Sequence, residues 1–437
     1  MQTDRYGSQV SIEAEVLPLW DDAMATYHRL DDGADELIAD VLRLDPDFCL
    51  AHAVTSFLAR ESGDLETARA ELEEARRCLP RATDRERSFV SALEVHVDDG
   101  LWGAEQSWRR HHADFPGDVL ALEPLSYYAY FAARPGGSEE FAAITARVRA
   151  AVGDNIVVRD LRSWTAQEQR RTDDAHDLAD SVLAEDPRWI SAAHAKAHAF
   201  YESRDHDAGL RWIDSWYAGL PDPPAYSRHL SWHAGLHELA LGDTDAVLRR
   251  LVADSADPAT RRLGDAAMTV WRCQLLGLWP EGQDPSGFLA ETARARADDV
   301  GFAMGGWVTA LGLASVQDVD GLRSLAAATA TSAVPGVAEL ITPLASALAA
   351  WLDGDAARCA EIIAPLGPEL DRCGGSEAQL DVLRDTYVAA LAAGGRTRAA
   401  YAYAAARDAL RPWPVDRRLA RPELASLGTT RRGAPTT

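Results

Sequence analysis

The apolar positions of the chain fall at helical spacing and then recur on a longer period. Ala68, Leu72 and Ala75 share one helix face and are followed by Pro80; Ala104, Trp108 and His111 repeat the arrangement and are followed by Pro116, 36 residues after Pro80. Residues four and seven apart lie on one side of a helix, so each set reads as the buried stripe of an amphipathic helix. The proline cannot continue that helix and marks the passage to the next unit. Pro187 comes 71 residues after Pro116, room for two units, and Pro221 and Pro258 follow after 34 and 37. That period belongs to tetratricopeptide-like helix pairs.

The first helices of these units carry small residues at matching places, Ser56, Ala92, Ala197 and Ala234, which lets paired helices cross closely. Between the helices stand Glu61-Ser-Gly-Asp, Asp98-Asp-Gly-Leu and Leu241-Gly-Asp-Thr. Glycine supplies the turn and aspartate caps the next helix. No run alternates as a half-buried strand would. Beyond Pro258 the repeat weakens, but helices continue through breaks at Asp353-Gly-Asp and Gly394-Gly. The pattern predicts an all-α, TPR-like right-handed α-solenoid, a superhelix of antiparallel helix pairs with about eleven to thirteen units' worth of chain. Residues 1–20 read as a leader whose last part joins the first helix, 21–412 as the continuous solenoid, and 413–437 as a poorly packed tail. Asp284-Pro-Ser-Gly is the best internal sub-boundary, at 284–287.

Composition narrows the function classes. Hydrophobic residues are 47% and charged residues 26% of the 437 positions, and no apolar run approaches the roughly 20 residues of a membrane span. The first twenty residues lack the basic start, apolar centre and cleavage site of a secretory signal, so a cytoplasmic location is expected. Five scattered cysteines without a Cys-x-x-Cys pair fit reduced thiols. A net charge of −24 with no basic face argues against nucleic acid as a partner. Lys196 is the single lysine of the chain, which removes the Lys-rich groove that a chaperone-tail carboxylate clamp requires. By helix geometry it points away from its histidine neighbours and reads as solvated. His111-His112, beside Arg109-Arg110, reads as surface.

The chemistry-bearing residues concentrate between Asp186 and Pro258. His194 and His198 are four apart on one helix, and His229 and His233 four apart on the next first helix. Each pair points two imidazoles the same way, an arrangement that holds one divalent cation at about 2.0–2.1 Å. Two such pairs on stacked helices would converge, with nitrogens from the two helices within about 4–7 Å, near enough to share an ion or a small ligand. The bland alternative is a set of partly buried histidines bonded to carbonyls. Glu202 and His237 extend the two stripes by one turn and read either as partners that fix an imidazole tautomer or as solvent-facing groups. Gln379 and Asp381 follow Gly374-Gly375-Ser376 at a helix start, where a groove-facing loop could bind an anion or Ser376 could cap the helix.

Several strings stand out along the chain: Asp45-Pro-Asp-Phe with Ala51-His52, Arg85-Glu86 leading into Val90-Ser-Ala, Phe115-Pro-Gly-Asp-Val-Leu-Ala-Leu122, Gly374-Gly-Ser-Glu-Ala-Gln379-Leu-Asp381 and Arg407-Asp-Ala-Leu-Arg-Pro412, of which the Gly-Gly-Ser-x-Ala-Gln-x-Asp string, like His-x-x-Trp-His, is fairly specific and the alanine-rich helices are not. With the two histidine helices, these resemble the tetratricopeptide repeat protein 38 family over most of the chain. The resemblance implies His-x-x-x-His on one helix and His-x-x-Trp-His on the next, matched here by His194, His198, His229, Trp232 and His233, and it adds His52. Two positions depart from the family pattern: Phe200 and Tyr127-Tyr128 stand where histidine-containing strings are expected. The family is defined by a fold and implies no reaction.

Two functions follow. One is a groove whose paired histidines His194, His198, His229 and His233, with His52, Trp232, Glu202, His237, Gln379 and Asp381 around them, bind a small molecule and a divalent metal, zinc or iron, with any catalysis at the four histidines. The alternative is a non-catalytic scaffold holding a peptide or helix in the groove.

Overall fold

A computed structural model describes residues 1–256, 262–278, 286–297, 300–410 and 413–421. The chain is an all-α helical-repeat solenoid, as the apolar period predicts: 23 α-helices among the described residues, about eleven pairs, against one two-stranded ribbon. It divides into two compact units, the first made of Met1–Ala129 and Gly136–Lys196, the second of Tyr130–Pro135 and the chain from Ala197 on. No helix of the described residues is long and apolar enough to cross a membrane.

The first unit opens with β1 (Gln2–Thr3) and β2 (Gln9–Val10), an antiparallel ribbon in the register Gln2 to Val10. Residues 1–20 are therefore not a loose leader. Val10 and Ile12 are buried, the Ser11 amide donates to Glu86 at 3.0 Å, and Arg81 and Arg85 donate to the carbonyls of Ser11 and Gln9. The ribbon escapes a helical reading of the sequence because it has only two residues per strand. After it come α1 (Leu17–His28), α2 (Ala34–Leu44), α3 (Cys49–Ser62), α4 (Leu65–Cys78), α5 (Asp84–Gly103), α6 (Glu105–Asp114), α7 (Leu122–Tyr130), α8 (Gly137–Val152), α9 (Ile156–Glu168) and α10 (Thr172–Glu185). α11 (Ile190–Ser203) is one continuous helix through the division at Lys196.

The second unit holds α12 (His206–Ala218), α13 (Arg228–Leu241), α14 (Thr244–Ala256), α15 (Leu263–Leu275), α16 (Ser286–Arg296), α17 (Ala303–Ser315), α18 (Val319–Thr329), α19 (Thr342–Leu352), α20 (Ala356–Ile363), α21 (Glu377–Ala393), α22 (Thr397–Leu410) and α23 (Pro414–Leu419). The expected tail is packed at its start. Trp413 is fully buried with its indole N–H on Asp385 at 3.1 Å, and Asp416 accepts from Arg407 at 2.6 Å. Residues 422–437, Pro258, Pro412 and the Asp284-Pro285 half of the expected sub-boundary lie outside the described residues.

Small residues sit where helices cross. Ser56, Ala68, Ala92, Ala104, Ala197 and Ala234 are all buried, and adding methylenes at such places costs about 1–3 kcal/mol. Ser56 keeps its hydroxyl satisfied by donating to the Ala68 carbonyl across the α3–α4 pair, at 2.6 Å. The joints are equally regular. Five hairpins turn on a left-handed residue followed by aspartate: Gly63-Asp64, Arg204-Asp205, Gly242-Asp243, Gln317-Asp318 and Gly354-Asp355, with φ of 87°, 70°, 85°, 59° and 84°. Each aspartate accepts the backbone N–H three residues on, at 3.0, 3.2, 3.0, 2.9 and 2.9 Å. The left-handed residue ends one helix and the carboxylate starts the next.

Candidate metal centre

α11 begins after Asp186-Pro187, where the Asp186 carboxylate accepts the Arg188 amide at 3.0 Å and closes the turn. α13 begins after a short 3-10 turn at Ala225–Ser227, itself preceded by Pro223-Pro224, and ends at left-handed Gly242. On both helices the histidines recur every four residues and stack along one side.

His194, His198 and His233 form a cluster in which one ring nitrogen from each lies within 4.8 Å of the others. The expected convergence of the two histidine helices is met by these three. The rings of His198 and His233 approach to 4.3 Å between centroids, edge to face at 72°. The three side chains are buried, at 6%, 1% and 0% relative exposure. Three imidazoles at this spacing suit a first-row transition ion: neutral ring nitrogens bind zinc, iron or copper, whereas magnesium and calcium need oxygen ligands that the cluster does not offer. Three protein ligands also leave one tetrahedral position for water or substrate. Trp164 of α9 packs on His194 with centroids 4.9 Å apart.

His229 stands beside this cluster and outside the group of three. Its ring is 4.9 Å from that of His233 and stacks on Trp232 at 5.1 Å and 10°. Its Nδ1 donates to the Asp265 carboxylate, both oxygens of which lie at 2.9 Å. Asp265 also pairs with Arg262 at 3.4 Å, whose guanidinium lies over the Tyr226 ring at 4.7 Å.

The other expected site residues fall elsewhere. His237 turns to α12, where its Nδ1 is 3.0 Å from Nδ1 of His206. A Cβ added to Gly209 would come within 2.6 Å of its Nε2, so the ring occupies the space that glycine leaves. Burial holds His237 down at about 3 and His206 at about 4, with His206 adding to the former and Arg204 to the latter. Both are neutral at physiological pH. His52 spends both ring nitrogens within its own hairpin, on Glu71 at 2.6 Å and the Pro46 carbonyl at 3.1 Å, which removes it from ligand binding. Gln379 completes a capping box with Ser376. Asp381 is fully buried and filled by Tyr201, Arg384 and Arg407 at 2.7, 3.1 and 3.0 Å, so its carboxylate serves the core and not a groove-facing loop. Glu202 is buried on α11.

Two surface readings are overturned. Lys196 is only 8% exposed and pairs with Asp180 of α10; the 200° rotation that takes it off the histidine face points it at a neighbouring helix, not at water. His111 and His112 are buried at the α6 terminus, His111 between Ser88 and Asp118 at 2.9 and 3.0 Å. Burial, with Arg147 alongside, holds His112 down at about 4.

Asp265 and Trp164 are the residues that sequence reasoning missed, and the repeat contains the signal for both. Asp160, His194, His229 and Asp265 occupy one position of four successive first helices, spaced 34, 35 and 36 residues. Trp164, His198, His233 and Thr269 occupy the next turn at the same spacings. No protein-family model matches the chain.

Proposed function

We propose that this protein binds one divalent first-row transition ion, of the zinc or iron class, through His194, His198 and His233, and presents the ion's open coordination position to a small molecule. The observation that carries this reading is the convergence of three buried ring nitrogens within 4.8 Å of one another. The neutral imidazole is the form that ligates. A metal held this way polarises a bound oxygen or lowers the pKa of a bound water toward 7, and any reaction of the protein is assigned to that position. The same proposal takes in membership of the tetratricopeptide repeat protein 38 family, on the strings quoted above, and a cytoplasmic location.

Elemental analysis of the purified protein tests it. One equivalent of metal, or uptake of one equivalent of zinc or cobalt by metal-depleted protein, is expected in the wild type and should be lost in His198→Ala/His233→Ala. A wild type that neither carries nor takes up metal reduces the cluster to core packing and returns the protein to the scaffold reading.

A further inference from the structure

We infer that a cleft lined by α8, α9 and the start of α10 binds a short unblocked peptide of two or three residues. Arg149 and Arg162 take its carboxylate, and Asp177 takes its ammonium. All of the cleft's residues belong to the first unit, and none is a ligand of the proposed metal centre.

The cleft has a volume of about 320 Å³, at the small end of the range for ligand sites. At the turn between α8 and α9, two arginines converge on one atom. Nε of Arg149 and Nη1 of Arg162 reach Oδ1 of Asp154 at 3.3 and 2.8 Å. A guanidinium has five N–H donors, and among the described residues these two arginines have no other polar partner in a side chain. At the turn between α9 and α10, Arg171 is spent on Gln169, at 3.3 and 3.2 Å, and on Asp174. Asp177 lies one helical turn beyond Asp174 on the same side of α10; it is exposed, lines the cleft and has no partner among the described residues. Spare donors therefore stand at one end and a spare acceptor toward the other.

The span sets the length of the ligand. α9 and α10 run antiparallel through a short turn, which puts Asp177 about level with Ser163, eight residues beyond Asn155. At 1.5 Å per residue that is roughly 12 Å from the Asp154 turn along the axis. Two or three extended residues cover about 7–11 Å, and the side chains at the two ends close the remainder.

Charge decides against simpler ligands. Arg149, Arg162 and Arg171 are balanced by Asp154, Asp174 and Asp177, so the cleft is polarised but neutral. A multiply charged anion such as phosphate would stand near three carboxylates, whereas a zwitterion meets opposite charge at each end. Thr145 and Thr165 donate their hydroxyls to carbonyls of their own helices. Ala142, Ala146 and Leu178 make the middle of the cleft apolar, which suits small aliphatic side chains.

Isothermal titration calorimetry of the full chain tests this with trialanine, trialanine amide, N-acetyltrialanine and inorganic phosphate. The wild type is expected to bind one trialanine, to bind each blocked peptide about tenfold more weakly, and to hold trialanine unchanged in the presence of phosphate. Arg149→Gln/Arg162→Gln should bind trialanine about tenfold more weakly and the amide, which has no carboxylate, as the wild type does. Asp177→Asn should weaken trialanine similarly and leave N-acetyltrialanine, which has no ammonium, unchanged. A wild type that does not bind trialanine, or that binds the blocked peptides as tightly, overturns the inference. So does Asp177→Asn that binds trialanine like the wild type. Displacement of trialanine by phosphate would make the cleft a plain anion site and overturn it too. If the double arginine variant does not fold, the exposed Asp177→Asn, compared on trialanine and N-acetyltrialanine, decides alone.

Discussion

Asp265 accepts the Nδ1 proton of His229 from the same position of the next first helix, 36 residues further along the chain. In a stack of similar helix pairs, one position recurs side by side on successive helices, so a residue on one helix finds its lateral partner about one period away. The row Asp160, His194, His229, Asp265 is such a position. Its two inner members are the histidines that open each pair, and its outer members are carboxylic acids in contrasting states. Asp265 is ion-paired to Arg262 and bonded to His229. Asp160 is buried with its Oδ1 lacking a hydrogen-bond partner among the described residues.

That contrast makes Asp160 a source of pH dependence. Burial pushes its carboxyl up to about 7, and the polar side chains of Trp189 and Ser191 offset only part of the rise. A carboxyl whose folded pKa is raised holds its proton in the native state over a range where the unfolded chain has released it. Its contribution to stability is complete below about 4 and is lost as pH rises through about 7. Asp160→Asn carries no titrating proton and should remove this term. Urea unfolding followed at pH 5 and pH 8 is expected to show the variant gaining stability on the wild type at pH 8, on the order of a few kcal/mol. Equal shifts at both pH values would show that Asp160 is ionised in the folded protein.

The joints give a prediction about the repeat itself. Three of the five left-handed positions that precede a capping aspartate are glycine, but Gln317 adopts φ 59° with a side chain in place. A non-glycine residue there costs roughly 1–2 kcal/mol, and among the described residues its side chain makes one bond, at 3.3 Å to the Ala314 carbonyl. Gln317→Gly should stabilise the fold by about 0.5–1 kcal/mol once the greater freedom of glycine in the unfolded chain is subtracted, read as a higher midpoint of thermal unfolding. Gly242→Ala, which makes the opposite change at φ 85°, should destabilise the fold by about 1 kcal/mol and lower that midpoint. Shifts of the same sign in both variants would separate stability from the φ values of these joints.

Much of the fold was legible because helix pairs write themselves into the sequence twice, as a stripe within each helix and as a period between them. The Ala68, Leu72, Ala75 set and the Gly-Asp joints carried the helices, and the four-residue spacing of His194 with His198 and of His229 with His233 carried the site. Long-range polar pairing was not legible. Asp381 reads as a loop neighbour of Gly374-Gly375-Ser376, yet its partners are Arg407 and Tyr201, the latter 180 residues away in sequence. Lys196 and His111 read as solvated because charge suggests water, and what buries them is a partner on an adjacent segment, Asp180 and Asp118. The N-terminal ribbon had too few residues for its alternation to register.

The third prediction concerns His206 and His237, which share one Nδ1 hydrogen bond at 3.0 Å while neither Nε2 has a partner among the described residues. One of the two rings must donate at Nδ1, so the other accepts there and carries its hydrogen on an Nε2 that meets no acceptor. Burial depresses both, to about 4 for His206 and about 3 for His237. The unfolded chain takes up protons at these residues near pH 6.5 while the folded chain refuses them. Their contribution is therefore fully present above about 6.5 and is lost as pH falls toward 4 and then 3, amounting in the limit to several kcal/mol. His237→Leu places an apolar side chain in the space over Gly209 and leaves His206 alone to titrate. The variant should lose less stability than the wild type between pH 7 and pH 4.5 when chemical unfolding is followed by tryptophan fluorescence. Parallel curves for the two proteins would mean that His237 is protonated in the folded state.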